Sequence, residues 1–439
     1  MQSRVSPFNN LDLHAIPERL DLLEDFMSKY GHERRKPLRH THAVMIQHQF
    51  GSHVPMVRAL VRMGLDPDRI HWVDIPYTAN LRVQKELQRI GIPKRNFVTA
   101  NYHLGKPYVA YQRGRVQKLF LRLDSTLTRR DEVLVLDDGS YFLEALTCHH
   151  APKFNLKIVE QTTRGIIKIK KDATLRHYAR RYPIVNVAES APKKQLESPF
   201  IGESVCRSLI GLLKGRLRCL PTDKWLILGY GAIGRSVAEA LMRHFPMKAK
   251  NIYIGEPDRA QAALAKKAGH PLWCRDAHEA VRFKLVVGCS GVSSFGIGDR
   301  IFLEDGAFLA SASSGAAELS REEFVDLADG FSSDLIYVKN RHQLERSGTH
   351  ADIFIRLVDR DVCFLNGGFP VNFRGHVNCV PFEFIQLTRT LQAGAAVQAM
   401  SARSPGLIDL DPGFSKFIQK QFHFRTKNSQ SLSKAVKFS

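Results

Sequence analysis

The stretch Lys224-Trp-Leu-Ile-Leu-Gly229-Tyr-Gly231-Ala-Ile233-Gly234-Arg235 constrains the fold most, because an apolar run breaks there into a GxGxxG turn and then a helical pattern. In such a strand-to-helix turn the first glycine permits the bend, the second lets backbone approach a pyrophosphate, and the third lets helix and strand pack closely. The helix N-terminus then turns free N–H groups and the positive end of its dipole towards the phosphates. Glycines also punctuate ordinary turns, so the context carries the argument. A second apolar run, Asn251-Ile-Tyr-Ile254-Gly255, follows at the spacing of a βαβ unit and ends in Glu256. A carboxylate there accepts both hydroxyls of an adenosine ribose and repels a 2′-phosphate, so NAD is expected rather than NADP. Arg259 is the nearby residue that argues the other way.

Upstream, the chain alternates strand-like and helix-like runs. Pro17 to Met27 has helical spacing, Ala43-Val-Met-Ile46 reads as a strand, Val54 to Met63 as a helix, Ile70 to Ile75 as a strand and Leu81 to Ile90 as a helix. The pattern recurs at Glu132 to Leu136 and Leu156 to Val159. Alternation of this kind predicts an α/β protein of two doubly wound parallel-sheet domains, the second a Rossmann domain for NAD. A chain of 439 residues exceeds what one hydrophobic core supports.

Ligands of such sheets bind beyond the carboxyl ends of the strands, where His48, Asp138, Thr162 and Thr163 fall. Taken singly, His48 reads as a satisfied structural histidine and Asp138 as a helix cap. Their shared location is what makes them candidates. No metal is expected: His42, His48 and His53 are not spaced to converge, and no carboxylate joins them. The seven cysteines are scattered with no CxxC pair, and read as buried small hydrophobes in a reducing compartment. No apolar run reaches the length of a membrane span and the N-terminus lacks the apolar core of a signal peptide, so a cytoplasmic location is expected.

Against 43 acidic residues stand 64 basic ones, a net charge of +21. In the sequence these charges are spread through the chain, without a nucleic-acid-binding motif, so neither nucleic acid nor a membrane is expected as a partner. The exception is the end of the chain. Lys416, Lys420, Arg425, Lys427, Lys434 and Lys437 follow with no acid after Asp411, as in an exposed basic arm.

Over roughly residues 25–405 the chain resembles the adenosylhomocysteinase (S-adenosylhomocysteine hydrolase) family, through a string of motifs in the family's order. Lys36-Pro37-Leu38 leading to His48 resembles its approach to a substrate-binding histidine. Asp137-Asp138-Gly139 resembles its double aspartate, and Glu160-Gln161-Thr162-Thr163-Arg164-Gly165 its glutamates and threonines. Val185 to Lys193 is similar to the segment that ends in its catalytic lysine. Gly229 to Gly234 and Glu256 fall on its NAD site, Ser290 on the turn before a cofactor glycine, and Asn366 on an asparagine beside the nicotinamide.

The resemblance implies a bound NAD that oxidises a ribose hydroxyl of a small-molecule substrate, with elimination and water addition before the hydride is returned. Catalytic roles would fall to His48, Asp138, Lys193 and Glu197, cofactor contacts to Thr162, Thr163, Gly229, Gly231, Ile233, Gly234, Glu256, Ser290 and Asn366, and the assembly would be a homo-oligomer. Departures bear on the substrate pocket. Gln161 replaces a ribose-binding glutamate, Phe50 a threonine, Glu197 an aspartate and Ser198 an asparagine, while Ser314 and Phe373 stand where histidines are expected. The family's terminal lysine and tyrosine are not recognisable. The expected division is a substrate domain over 1–197 completed by 367–405, an NAD domain over 198–366 and a basic tail over 406–439. The alternatives to an enzyme are a non-catalytic relative that binds NAD or a nucleoside as a regulatory or scaffold module and, third, nucleic-acid binding through the basic surface, which would require strongly salt-dependent affinity.

Overall fold

The structure, a computed structural model, describes residues 12–276, 281–315, 318–331, 349–357 and 359–428. It divides into two compact units. Among the described residues one comprises 12–101, Ala110–Glu197 and 375–428, the other Tyr102–Val109 and the described part of Ser198–Arg374. They are termed here the first and second unit.

In the first unit the chain lays down β1 (Thr41–Gln47), β2 (Ile70–Asp74), β3 (Phe97–Val98), β4 (Glu132–Asp137), β5 (Asn155–Glu160) and β6 (Pro183–Asn186). The second unit contributes β7 (Trp225–Leu228), β8 (Ile252–Gly255), β9 (Phe283–Gly288), β10 (Leu303–Ser311), β11 (Ile353–Arg356) and β12 (Asp361–Phe364). The chain then returns through a helix, Phe382–Ser401, to β13 (Gly406–Asp409). The first sheet runs β13-β6-β5-β4-β1-β2-β3 with every pair parallel. The second runs β11-β12-β10-β9-β7-β8, and only its β11–β12 pair is antiparallel. Parallel sheets need helical crossovers on their faces, which bury central strands on both sides. Hence β4 reads as an almost unbroken apolar run, Glu-Val-Leu-Val-Leu-Asp, and is buried from Val133 onward.

The first helix spans Asp21–Tyr30 rather than beginning at Pro17, with Asp21 and Glu24 in its first turn facing the positive dipole end. It stops at Gly31, whose φ of +61° is the left-handed conformation that ends helices. Leu81–Arg89 begins where the Asn80 side chain accepts from the Arg82 and Val83 N–H groups.

Helical periodicity does not announce Phe382–Ser401, because this helix is buried almost all round and so has no polar face to alternate with. It lies over β4, β5 and β6 and beside Asp21–Tyr30. Gly394 permits the approach of Phe26 and Phe414, since a Cβ there would sit 3.2 Å from the Phe26 ring.

Two boundaries differ from the sequence expectation. The second unit runs to Arg374 rather than to 366, because the turn after β12 is tied to β10: Val371 N–H donates to the Ser311 carbonyl at 2.9 Å. The segment Tyr102–Val109 also belongs to that unit, anchored by Arg321, whose guanidinium donates to the Leu104 carbonyl at 3.1 Å.

The exposed arm expected over 406–439 is corrected for its described part. Residues 406–409 form β13 at the sheet edge, and Pro412–Asn428 is a helix with Ile418 and Phe422 buried. Arg425 pairs with Asp25 at 2.7 Å, so some of the basic residues are anchored. Lys434 and Lys437 lie outside the described residues. The cysteines also diverge from expectation: Cys206, Cys363 and Cys379 are buried, but Cys148 and Cys274 are exposed. Among the described residues no helix is long and apolar enough to cross a membrane.

Candidate functional site

In the second unit, β7 delivers four buried residues into the glycine turn. Gly229 has a φ of +93°, and a Cβ there would lie 2.8 Å from the Ser290 Cα. A Cβ on Gly234 would collide with the Gly229 carbonyl oxygen, whereas one on Gly231 would meet nothing within 4 Å. The outer glycines are therefore required by the protein's own packing, and the middle one faces open space. The helix Ala232–His244 starts there with Gly231 as its N-cap and no side-chain cap, which leaves its first N–H groups to a ligand. Ile233 packs against the core beneath.

Glu256, just past the end of β8, turns back over this loop. Its Oε2 accepts the Tyr230 N–H at 2.6 Å and its Oε1 the Asp258 N–H at 2.8 Å. Arg259 is exposed. These features fit a dinucleotide: open space at Gly231, a helix N-terminus with no side-chain cap, and the Glu256 carboxylate held over the same loop.

Ser290 and Asn366 are placed differently from simple ligand contacts. The Ser290 hydroxyl lies 3.0 Å from Glu318 Oε2, and the same carboxylate receives Ser294 at 2.6 Å, Ser313 at 2.5 Å and the Gly291 N–H. This knot shapes the loop after β9, and burial pushes the Glu318 carboxyl up. Sequence reasoning missed Glu318, which stands in no motif. Asn366 is wholly buried at a φ of +53°; its amide N–H groups donate to the Pro370 and Phe373 carbonyls, and its oxygen lies 3.0 Å from His350 Nδ1. Those partners make it the brace of the turn after β12. Separately, an open groove of about 530 Å³ is lined by Arg275, Ser294, Phe295, Asp299, Phe302 and Glu323 among others. None of the candidate cofactor residues lines it.

In the first unit the carboxyl ends of β1, β4 and β5 bring His48 and Asp138 together. His48 Nε2 lies 3.2 Å from Asp138 Oδ2, both side chains almost wholly buried. The capping role belongs to the neighbouring Asp137, whose carboxylate accepts the Tyr141 and Phe142 N–H groups at 3.1 and 2.8 Å. Asp138 is thus left for the site. Burial, reinforced by Arg389, pushes His48 down to about 3, and burial pushes Asp138 up to about 6. Near pH 7 the imidazole is neutral.

His48 Nδ1 lies 2.8 Å from the Thr78 hydroxyl, which itself donates to the Ile75 carbonyl at 3.1 Å. A hydroxyl has one proton to give. Given to Ile75, it makes Nδ1–H the donor and leaves Nε2 an acceptor, so a proton on Asp138 completes the pair. When Asp138 ionises, the other tautomer satisfies it.

Gln161 Nε2 donates to Asp138 Oδ2 at 2.5 Å and to Gln47 Oε1 at 3.1 Å, while its oxygen accepts from Gln392. Both amide protons and one lone pair of the glutamine are therefore engaged inside the protein. Phe50 stacks on His48 at a centroid distance of 5.4 Å.

Lys193 and Glu197 lie one turn apart and pair at 2.6 Å, and Glu197 Oε1 accepts from the Thr388 hydroxyl at 2.7 Å. The helix that supplies Thr388 also supplies Arg389, which donates to Ser52 Oγ at 3.1 Å and to Gln392 Oε1 at 2.7 Å. The charge of Lys193 reaches Asp138, holding its carboxyl lower than burial alone would. Thr388, Arg389 and Gln392 were not identified in the sequence, where a near-uniform buried helix gives them no pattern to break.

Thr162 and Thr163 do not join this cluster. Thr162 caps the helix Thr163–Lys171, accepting the Gly165 N–H at 3.0 Å and donating to Glu160 Oε1 at 2.7 Å, while Thr163 is exposed. Glu160 also accepts from Gly139 and Ser140, binding two loops together, and burial pushes its carboxyl up to about 7.

No protein-family model matches the chain. Two uncharacterised proteins of Mycobacterium tuberculosis, from strains CDC 1551 / Oshkosh and H37Rv, are each 27% identical over 388 residues, covering 85% of this chain and 69% of theirs. Among solved structures, a dipicolinate synthase from Bacillus halodurans is 11% identical, with 71% of this chain and 96% of that one covered and a TM-score of 0.38. The dipicolinate synthase of Bacillus subtilis is 12% identical over 65% of this chain and 85% of its own, with a TM-score of 0.34. For L-tryptophan dehydrogenase from Nostoc punctiforme the figures are 12%, 66% and 73%, with a TM-score of 0.26. At such scores these likenesses carry no argument about chemistry. None of these proteins is named an adenosylhomocysteinase, so that resemblance rests on its motifs.

Proposed function

We propose that the chain binds NAD at the Gly229–Gly234 turn and acts as an adenosylhomocysteinase-like enzyme, oxidising a hydroxyl of a nucleoside-like or thioether substrate. The observation that carries the cofactor assignment is the division of labour among the glycines: Gly229 and Gly234 are needed by packing, and Gly231 is open to a ligand. Gly231, the first N–H groups of Ala232–His244 and the Glu256 carboxylate would hold the pyrophosphate and adenosine ribose. NAD, when bound, supplies a hydride acceptor. Lys193 would take the hydroxyl proton, with Glu197 holding its ammonium in place through the 2.6 Å pair and Thr388 fixing Glu197 in turn. The His48–Asp138 pair, joined at 3.2 Å, would anchor the substrate and exchange a proton.

A second reading, a non-catalytic relative, draws support from Gln161. A carboxylate at that position grips a ribose diol in the resembled family, whereas this amide is engaged with Asp138, Gln47 and Gln392. Weak or absent hydrolysis of S-adenosylhomocysteine is therefore expected even if hydroxyl oxidation persists.

The test has two arms. Mass spectrometry of the supernatant from denatured protein should identify NAD, and titration should favour NAD over NADP. Added nucleosides should then be screened for reduction of bound cofactor by its absorbance, in the native protein and in Lys193→Ala. Cofactor reduction that persists in Lys193→Ala removes the lysine from its role. Absence of any dinucleotide binding removes the whole proposal.

A further inference from the structure

Every strand of the first sheet runs the same way, so the residues that precede the strands gather at one edge. At that edge stands a row of basic side chains from distant parts of the sequence. Arg403 and Arg180 each stand three residues before Gly406 and Pro183, which are register partners. Lys153, Arg130 and Arg39 each stand two residues before Asn155, Glu132 and Thr41, which are likewise aligned. Arg69 immediately precedes β2, and Lys94 and Arg95 lie in the turn before β3. All seven strands are thus entered past a basic residue. At about 4.8 Å per strand the row is roughly 30 Å long.

These side chains are exposed, apart from the half-buried Arg69. The acids nearby leave most of them uncompensated. Asp66 and Asp68 stand 3.9 Å from Arg69 and Arg95, and Asp124 stands 3.8 Å from Lys153. Asp131 accepts from Thr128. Among the described residues, Arg39, Arg130, Arg180 and Arg403 have no carboxylate within ion-pair distance. Unpaired like charges held in a row repel one another, and a polyanion laid along them relieves that repulsion and releases its own counterions.

We propose that this edge binds the phosphodiester backbone of a single-stranded nucleic acid. The row is narrow and mostly arginine, whose planar fork matches phosphate oxygens. Among the described residues the exposed large hydrophobic side chains include one phenylalanine, Phe424 on the C-terminal helix, and the tyrosine at this edge, Tyr182 immediately before β6, is half-buried, so the row offers charge rather than a run of exposed aromatic rings. Recognition is accordingly of phosphates, without sequence preference.

Fluorescence anisotropy with a labelled single-stranded DNA of about 20 nucleotides tests this on the full chain. Affinity should fall with salt along a log–log slope of about −3 to −5, at about −0.7 per phosphate neutralised. The triple variant Arg130→Gln, Arg180→Gln, Arg403→Gln should flatten that slope by about 2 and weaken low-salt binding at least tenfold, with an unchanged melting temperature. Four outcomes overturn the proposal: no binding at low salt, an unaltered slope in the triple variant, loss of binding on Lys416→Gln, Lys420→Gln, Lys427→Gln instead, or binding only to phosphatidylserine vesicles.

Discussion

The Glu256 carboxylate accepts the Tyr230 N–H at 2.6 Å, so the acid that ends one strand closes on the glycine turn that ends its neighbour. A second bond from the Asp258 N–H fixes its other oxygen. Exchange for serine removes a charged acceptor from two backbone donors and, in the proposed complex, from the adenosine ribose. Glu256→Ser should lower NAD affinity about tenfold or more, narrow the preference over NADP, and cost about 1–3 kcal/mol of stability. Calorimetric titration and urea unfolding separate the two effects. Equal affinity of the unmodified protein for both cofactors would falsify the role of Glu256.

The glycines of that turn should respond unequally to alanine. Gly231→Ala places a methyl in open space, so the protein should fold with a change of under about 1 kcal/mol while NAD binding falls steeply. Gly234→Ala drives a methyl into the Gly229 carbonyl and should cost several times more in thermal unfolding. Equal losses of stability in the two variants would contradict this division.

Asp138 gives a dependence on pH. Its carboxyl is pushed up to about 6 from an ordinary value of 3.8, so the folded protein holds that proton more tightly than the unfolded chain. The resulting stabilisation is fully present below about pH 4 and lost as pH rises through about 6. His48, pushed down to about 3, runs the opposite way: its contribution is present above about pH 6.5 and lost as pH falls towards 3. Asp138→Asn removes only the first. Relative to the native protein, the variant should therefore gain about 2–3 kcal/mol between pH 4 and pH 7 in urea unfolding. A difference independent of pH would show that Asp138 is not titrating there.

Gln161→Glu restores the carboxylate of the resembled family but sets it against Asp138, where an amide donor now lies at 2.5 Å. Two carboxylates in that buried space cannot both ionise cheaply. Thermal unfolding should show a loss of about 3 kcal/mol at pH 8 and a smaller one at pH 5, where a shared proton relieves the pair. A variant as stable as the native protein at pH 8 would mean that the network relaxes freely.

The C-terminal helix should prove structural. Ile418 is wholly buried, so Ile418→Ala should cost about 2–4 kcal/mol in chemical unfolding, whereas Lys420→Ala on the exposed side should cost almost nothing. Similar small effects at both positions would return the helix to the status of a loose arm.

Local chemistry was legible in the sequence. Glycine spacing, a strand ending in an acid, and alternating strand and helix runs are set by backbone sterics and by periodicity within a few residues, and they specify two doubly wound sheets and the position of the Gly229–Gly234 turn. The pairing of His48 with Asp138 could be anticipated only because both follow strands of one parallel sheet. What the tertiary structure decided is which polar groups are already satisfied. It gave the capping role to Asp137, engaged Gln161 with Gln47 and Gln392, assigned Thr162 to Glu160, and brought Thr388 and Arg389 in on a helix without a polar face. It also gathered Arg39, Arg130, Arg180 and Arg403 at one edge, since parallel strands align their entry points whatever their separation along the chain. Hydrogen-bond satisfaction and surface charge depend on neighbours hundreds of residues away, and no local pattern encodes them.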